Sequence, residues 1–210
     1  MTALTRTLRA LAVAAMALSL GACISLFPKD DPAQLYRFDG QAPSPEASAG
    51  RPAAQFGVVR AGGAFSRGAS GDRILTVTGG QVAYVAQSRW VSPAVTLFDE
   101  ALARAFDVNT GAARLVTRGE AAKADFSLRV DVTRFEAVYD RGPEAAPLIM
   151  VSLRVTLARP DRTLAGSDLI EAQVRAGDNR VSAIVAAFDQ AVGDVLTALT
   201  AWTNRTGSAA

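Results

Sequence analysis

The sequence predicts an α+β domain: one mixed, largely antiparallel sheet with two amphipathic helices packed on its apolar face. Three observations predict it. Segments between Asp125 and Ala176 alternate apolar and polar residues with period two. Two other segments, Ser92–Asp107 and Val181–Trp202, repeat apolar residues at spacings of three and four. The order is strands, helix, strands, helix, with no internal repeat, so both helices must cover one sheet.

The elements follow in order. "QFGVVRA" (Gln55–Ala61) reads as a strand. Asp72–Trp90 alternates in two pieces around Gly79-Gly80, the pattern of a hairpin with a two-residue turn. In Ser92–Asp107, Ser92 is placed to cap the helix and Pro93 suits its first position. Val95, Phe98, Leu102, Ala105 and Phe106 mark its apolar face. "ARLVTR" (Ala113–Arg118) is a short strand.

Three longer strands come next. Leu128, Val130 and Val132 alternate with Ser127, Arg129, Asp131 and Thr133 in Asp125–Phe135. Leu148–Ala158 and Asp168–Ala176 alternate in the same way. One polar face per strand predicts an antiparallel sheet that is wet on one side. The last helix carries an apolar stripe from Val181 through Phe188 and Leu196 to Trp202, with Asp178 or Asn179 as its cap. The tail 204–210 reads as frayed.

The amino-terminal part has a different character. Arg6 and Arg9 precede the apolar run Leu11–Leu20, and the small residues Gly21 and Ala22 follow. That is the layout of a secretory signal. The run is about half the ~20 residues a membrane-spanning helix needs. No later stretch reads as closer, so a removable signal over 1–22 is expected, with no span after it. Leu20-Gly21-Ala22-Cys23 is similar to the bacterial lipobox. That resemblance implies a diacylglyceryl group on the Cys23 thiol, cleavage between Ala22 and Cys23, and acylation of the new amino terminus. Cys23 is the only cysteine, so no intramolecular disulfide competes for it. Two or more chains anchor stably, at roughly 0.8 kcal/mol per buried CH₂. Ile24, where retained inner-membrane lipoproteins typically carry aspartate, points to the outer membrane, facing the periplasm.

Residues 23–54 read as a tether, rich in Pro, Ala, Ser and Gly from Gly40 to Ala54. "LYRFD" (Leu35–Asp39) interrupts it and is expected to dock on the domain as an edge strand. The globular domain is expected over 55–203.

Composition excludes several activities. The chain has 22 Lys+Arg and 20 Asp+Glu; removing Arg6 and Arg9 with the signal leaves the two signs balanced, which argues against nucleic-acid binding. There is no histidine, so the commonest general base and the commonest metal ligand are both missing. No Gly-x-Ser-x-Gly elbow is present. The carboxylate pairs Asp30-Asp31 and Asp99-Glu100 read as solvated. "GASGDR" (Gly68–Arg73) lacks the Gly-Lys-Ser/Thr ending of a phosphate-binding loop. "NRT" at Asn204 matches a glycosylation acceptor without meaning in a bacterial lipoprotein. No catalytic set, metal site or cofactor is expected. Trp90 and Trp202, at opposite ends of the two helices, fit either core packing with a polar edge outside or the rim of a partner or lipid surface. Tyr84 is a third candidate for that surface.

The lipobox, "LYRFD" and "DRIL…VAYVAQSRWVSPAVTLFDEALARAF" together resemble the ABC-type transport auxiliary lipoproteins, over roughly Leu35 to Trp202. The matching residues are Arg73, Ile74, Tyr84, Trp90, Leu97 and Leu102. The chain departs from the family in "RAGGAFSRGASG" (Arg60–Gly71), where proline and apolar residues are more usual. The resemblance implies a sheet with two helices similar to the amino-terminal domain of TolB-like proteins. It also implies a non-enzymatic helper of ABC transporters with mammalian-cell-entry-domain proteins, which move phospholipids between membranes. The partners it implies are those proteins; the lipid anchor adds the membrane, and association with further copies of the chain stays open. A structural or assembly lipoprotein of the envelope would use the same tether and fold.

Overall fold

The strands and helices of the computed structural model, which describes residues 32–40, 54–117, 120 and 122–210, are β1 (Gln34–Tyr36), β2 (Phe56–Ala61), β3 (Arg73–Thr78), β4 (Gln81–Trp90), α1 (Ala94–Asp107), β5 (Ala113–Val116), β6 (Phe126–Val138), β7 (Leu148–Ala158), β8 (Leu164–Arg175) and α2 (Val181–Ala209). Cys23, Ala22, Ile24, the signal and most of the tether lie outside the described residues.

β6 is the spine. One of its edges pairs along its length with β7, which pairs in turn with β8, all antiparallel. The other edge is shared. β2 runs parallel to Phe126–Arg129, and β3 runs parallel to Ala137 and Val138. Between them Phe65 bridges to Val132. There the Val132 N–H donates to Ala64 O and the Ser66 N–H to Val132 O, both at 2.8 Å. The chain from Phe56 to Thr78 is therefore one parallel partner of β6, interrupted by loops. β5 extends the sheet beyond β2, and β4 then β1 extend it beyond β3. The sheet is mixed: the long pairings are antiparallel, and those of β1, β2, β3 and β5 with their parallel neighbours are short.

The glycine-rich departure at Arg60–Gly71 has a cause. A Cβ on Gly63 would sit 1.9 Å from Val130 O, so only glycine lets this segment lie against β6. The hairpin forms as expected, with Gly79 and Gly80 at φ +54° and +85°.

Both helices cover the same face. The inward residues of β7, Ile149, Val151, Leu153, Val155 and Leu157, are fully buried beneath them. In β6, inward Leu128, Val130 and Val132 give way to Phe135 and Ala137, because a bulge at Thr133 adds one residue and flips the parity. An aromatic cluster fills the centre. Phe38 meets Trp90 edge-on at 5.0 Å, Trp90 meets Phe188 at 5.4 Å, and Phe135 meets Phe188 at 4.9 Å.

Several helix details differ from the sequence reading. Ser92 does not cap α1. Pro93 occupies that position, and the first N–H groups, of Ala94 and Val95, donate to Gly71 O and Ser70 O. The buried face of α1 is centred on Leu97, Phe98, Ala101 and Leu102, and Val95 and Ala105 sit at its margin. Neither Asp178 nor Asn179 caps α2; Asn179 instead accepts from the Tyr139 hydroxyl at 2.9 Å and donates to Pro143 O at 3.0 Å. The tail is not frayed, because α2 runs on to Ala209. Its Asn204 accepts from the Ala113 N–H at 2.8 Å, and Gly207 packs against the Phe56 ring. α2 is also long and apolar enough by composition to cross a membrane, a stretch the sequence reading passed over. Asp189 and Asp194 interrupt it, and its apolar side is spent on β7, β8 and α1.

Candidate functional site

The chain enters the domain through β1, which pairs in parallel with Ser88–Trp90 at a sheet edge. The Val91 N–H donates to Tyr36 O at 2.8 Å. Leu35 points out, 63% exposed, whereas Phe38 is 1% exposed among Trp90 and Phe135. Immediately after Phe38 the backbone is clasped. One oxygen of Asp189 on α2 accepts from the N–H of Asp39 at 2.6 Å and of Gly40 at 2.8 Å. The Asp39 carboxylate pairs with Arg104 of α1 at 2.9 Å and with Arg37 at 2.7 Å. Glu100 lies 3.6 Å from Arg37. These pairs are half-exposed, so each contributes little alone. The buried phenyl ring supplies the hold, and the polar groups fix where the chain leaves. Residues 34–40 are thus joined to the core and to both helices.

The residues singled out in the sequence separate. Trp90 is 2% exposed and Trp202 is 7% exposed, so neither rims a surface. Trp90 is the hub of the aromatic cluster, and Trp202 packs beside Gly166. The core reading replaces the surface reading for both. Tyr84 is half-buried on β4; its hydroxyl donates to Gly68 O at 3.1 Å, and the Arg73 guanidinium lies 3.7 Å over its ring. It remains the one reachable member of the three. Ile74, Leu97 and Leu102, which carried the family resemblance, are buried core. "GASGDR" turns backbone carbonyls towards the start of α1, which suits a helix end and repels a phosphate. Asp99 pairs with Arg60, and Asn204 is held against Asn109 and Ala113.

No cluster of three His, Cys, Asp or Glu side chains able to hold a metal exists among the described residues. The carboxylates held below their usual range serve structure. Arg175 hydrogen-bonds Asp140 and brings it to about 2. Arg129 lowers Asp131, and the Gly57 N–H lowers Asp125. Shallow hollows open to solvent lie among the described residues. One of about 250 Å³ lies between the helices beside Ala105 and Leu196, and one of about 390 Å³ lies at Arg60–Phe65. Another, about 590 Å³, is on the helix-free face of the sheet, between Leu164 and Leu169. Sequence reasoning missed this last one and the Asp189 clasp. Leu164 and Leu169 gave a weak signal as leucines at outward positions of a strand; Asp189 gave none, being 150 residues from its partner.

The comparisons with known proteins agree with this architecture. The protein XCC0632 from Xanthomonas campestris, of the family DUF330, has a similar crystal structure: 24% identity, TM-score 0.69, covering 84% of this chain and 98% of that one. The crystal structure of an uncharacterised protein is similar at 14% identity and TM-score 0.60, covering 83% and 98%. No curated protein matches. The ABC-type transport auxiliary lipoprotein component family matches residues 36–199, from β1 through most of α2. The chain belongs to that family.

Proposed function

We propose that this protein is a periplasmic accessory lipoprotein of an ABC-type phospholipid transport system, anchored through Cys23 and non-catalytic. The match to the auxiliary family over residues 36–199 carries the reading. The lipobox-like Leu20–Cys23 supports the anchor, and Ile24 supports the outer membrane as its site. The β1 entry supports it mechanically. A lipid on Cys23 holds a short tether whose far end is locked into the core by Phe38 and Asp189. The absence of histidine and the structural roles of the lowered carboxylates fit a protein that works by binding.

Co-purification from solubilised native membranes tests the partnership. The expected result is enrichment of a mammalian-cell-entry-domain protein and ABC transporter subunits. Enrichment of an unrelated envelope protein, with no transporter component, would replace this reading with that of an assembly lipoprotein.

A further inference from the structure

We propose that the outer side of the β1–β4 edge is a membrane-contact face, which lies on the headgroups of anionic phospholipids. The inference rests on the lipid anchor at Cys23 proposed above and adds a second, non-covalent contact. The large apolar side chains that stay exposed among the described residues fall in two places. Leu164 and Leu169 are on β8; Leu35, Val82 and Val91 lie along this edge, 63%, 63% and 50% exposed. Exposed apolar groups gathered in one place mark a contact surface.

Register puts these three on one face. Ile74 and Thr76 of β3 turn inward, Thr76 beside buried Ala137. Arg73, Leu75 and Val77 therefore turn to the helix-free side, and so do their partners Arg89, Tyr84 and Val82. Leu35 pairs with Arg89, and Val91 follows two residues on. The irregularity between Arg73 and Leu75, with Gln87 at φ +49°, changes the parity of β4. It brings the odd residues Arg89 and Val91 onto the face of Val82 and Tyr84.

The charges around this row leave a positive excess. Arg89 pairs with Asp72 at 2.9 Å, and on the neighbouring β6 Arg134 pairs with Glu136 at 2.7 Å. Arg37 and Arg104 balance Asp39 and Glu100. Arg73 lies 3.7 Å over the Tyr84 ring, and Arg67 is exposed on the loop whose Gly68 O accepts from the Tyr84 hydroxyl. Neither Arg67 nor Arg73 has an ion-pair partner among the described residues. Aliphatic, tyrosine and arginine side chains in one row suit a lipid–water interface. The apolar groups enter the headgroup layer, and the guanidinium groups meet phosphate.

Two observations favour a lipid surface over a protein. Ala33 is ten residues from Cys23, which keeps this edge within about 35 Å of an anchored lipid. The hollows described above include none of the row's residues, so it offers no pocket to a partner's anchoring side chain. A layer of headgroups needs none.

The test is hydroxyl-radical footprinting of the full chain, purified from bacterial membranes and reconstituted in vesicles. One set holds phosphatidylethanolamine and phosphatidylglycerol in equal parts; the other holds phosphatidylcholine alone. Expected is about threefold slower modification of Leu35, Val82 and Val91 in the anionic vesicles than in the neutral ones, with Leu164 and Leu169 modified alike in both. Arg67→Glu combined with Arg73→Glu should remove the difference, and unchanged rates at Leu164 and Leu169 show that this variant is folded. Equal rates at the three edge residues in both vesicles overturn the proposal. Shielding of Leu164 and Leu169 instead puts the opposite edge on the membrane and overturns it too. Shielding that rises with protein concentration at fixed lipid assigns the face to a second copy and not to lipid. Intact mass of the same sample reports the acyl group on Cys23 separately. Acylated protein without shielding overturns the face and leaves the anchor standing. Shielded protein without an acyl group supports the face and overturns the anchor, and protein with neither overturns both.

Discussion

The carboxylate of Asp189 holds the backbone N–H of Asp39 at 2.6 Å, tying the point where the chain enters the domain to the first third of the long helix. The same oxygen takes the Gly40 N–H, so one side chain fixes two consecutive residues. Phe38, beside them, is anchored in the aromatic cluster. The domain is thereby fastened to its own amino-terminal segment at a packed site.

Removing either half of this clasp should loosen the entry strand. Asp189→Ala leaves two N–H groups without their acceptor and should cost about 1–2 kcal/mol. Phe38→Ala empties a packed ring site and should cost about 3–5 kcal/mol. Leu35→Ala, on the exposed side of β1, should change little. Urea midpoints of the three variants check the order. Equal, small effects would show that β1 is not held by the core.

The two glycines at the turn from β2 should respond differently. A Cβ at Gly63 meets Val130 O, while one at Gly62 meets nothing within 4 Å. Gly63→Ala should therefore destabilise by about 2–4 kcal/mol, and Gly62→Ala by under about 1 kcal/mol. Thermal unfolding distinguishes them. A neutral Gly63→Ala would mean that the segment does not lie against β6 as described.

The end of α2 should depend on Asn204. It accepts from the Ala113 N–H and exchanges hydrogen bonds with Asn109. Asn204→Ala should lower stability by about 1–3 kcal/mol, since partly buried donors lose their acceptor. Hydrogen exchange should also quicken in 204–209 and at Ala113. Unchanged exchange there would contradict the packing of the tail.

Stability should be flat from about pH 6 to 8 and fall in acid, because the chain has no histidine to titrate between. Asp140 is lowered to about 2 by Arg175, and Asp131 and Asp125 are also lowered. A lowered folded-state value favours the charged form. Its contribution is therefore complete above the ordinary carboxylate range and is lost as pH falls towards 2. Urea midpoints across pH should show this, with a shallower acid limb in Asp140→Asn. A loss between pH 6 and 8 would contradict it.

Period two revealed β7 and the inward set of β6 as far as Val132, and the Gly79-Gly80 turn revealed the hairpin. "LYRFD" was legible as an edge strand because its apolar residues interrupt a tether. The bulge at Thr133 was hidden, since one inserted residue changes parity without a distinctive residue type. In α1 the spacing marks Val95, Phe98, Leu102, Ala105 and Phe106; Phe98, Leu102 and Phe106 are buried, while Val95 and Ala105 lie at the margin and Leu97 and Ala101 turn inward beside them. Trp90 and Trp202 were ambiguous because a tryptophan suits a core and an interface equally; their neighbours across the sheet decide. The clasp and the β8 hollow arise from contacts between distant segments, which local pattern does not encode.

In the function proposed here, a lipid on Cys23 holds the folded auxiliary domain at the membrane. Intact mass and membrane fractionation of the wild type beside Cys23→Ala, in a bacterial host, test this most directly. Expected are a wild type cut before Cys23, carrying acyl mass and sedimenting with the outer membrane, and a variant without the lipid and released from it. A wild type that is soluble and unlipidated in the periplasm would contradict it.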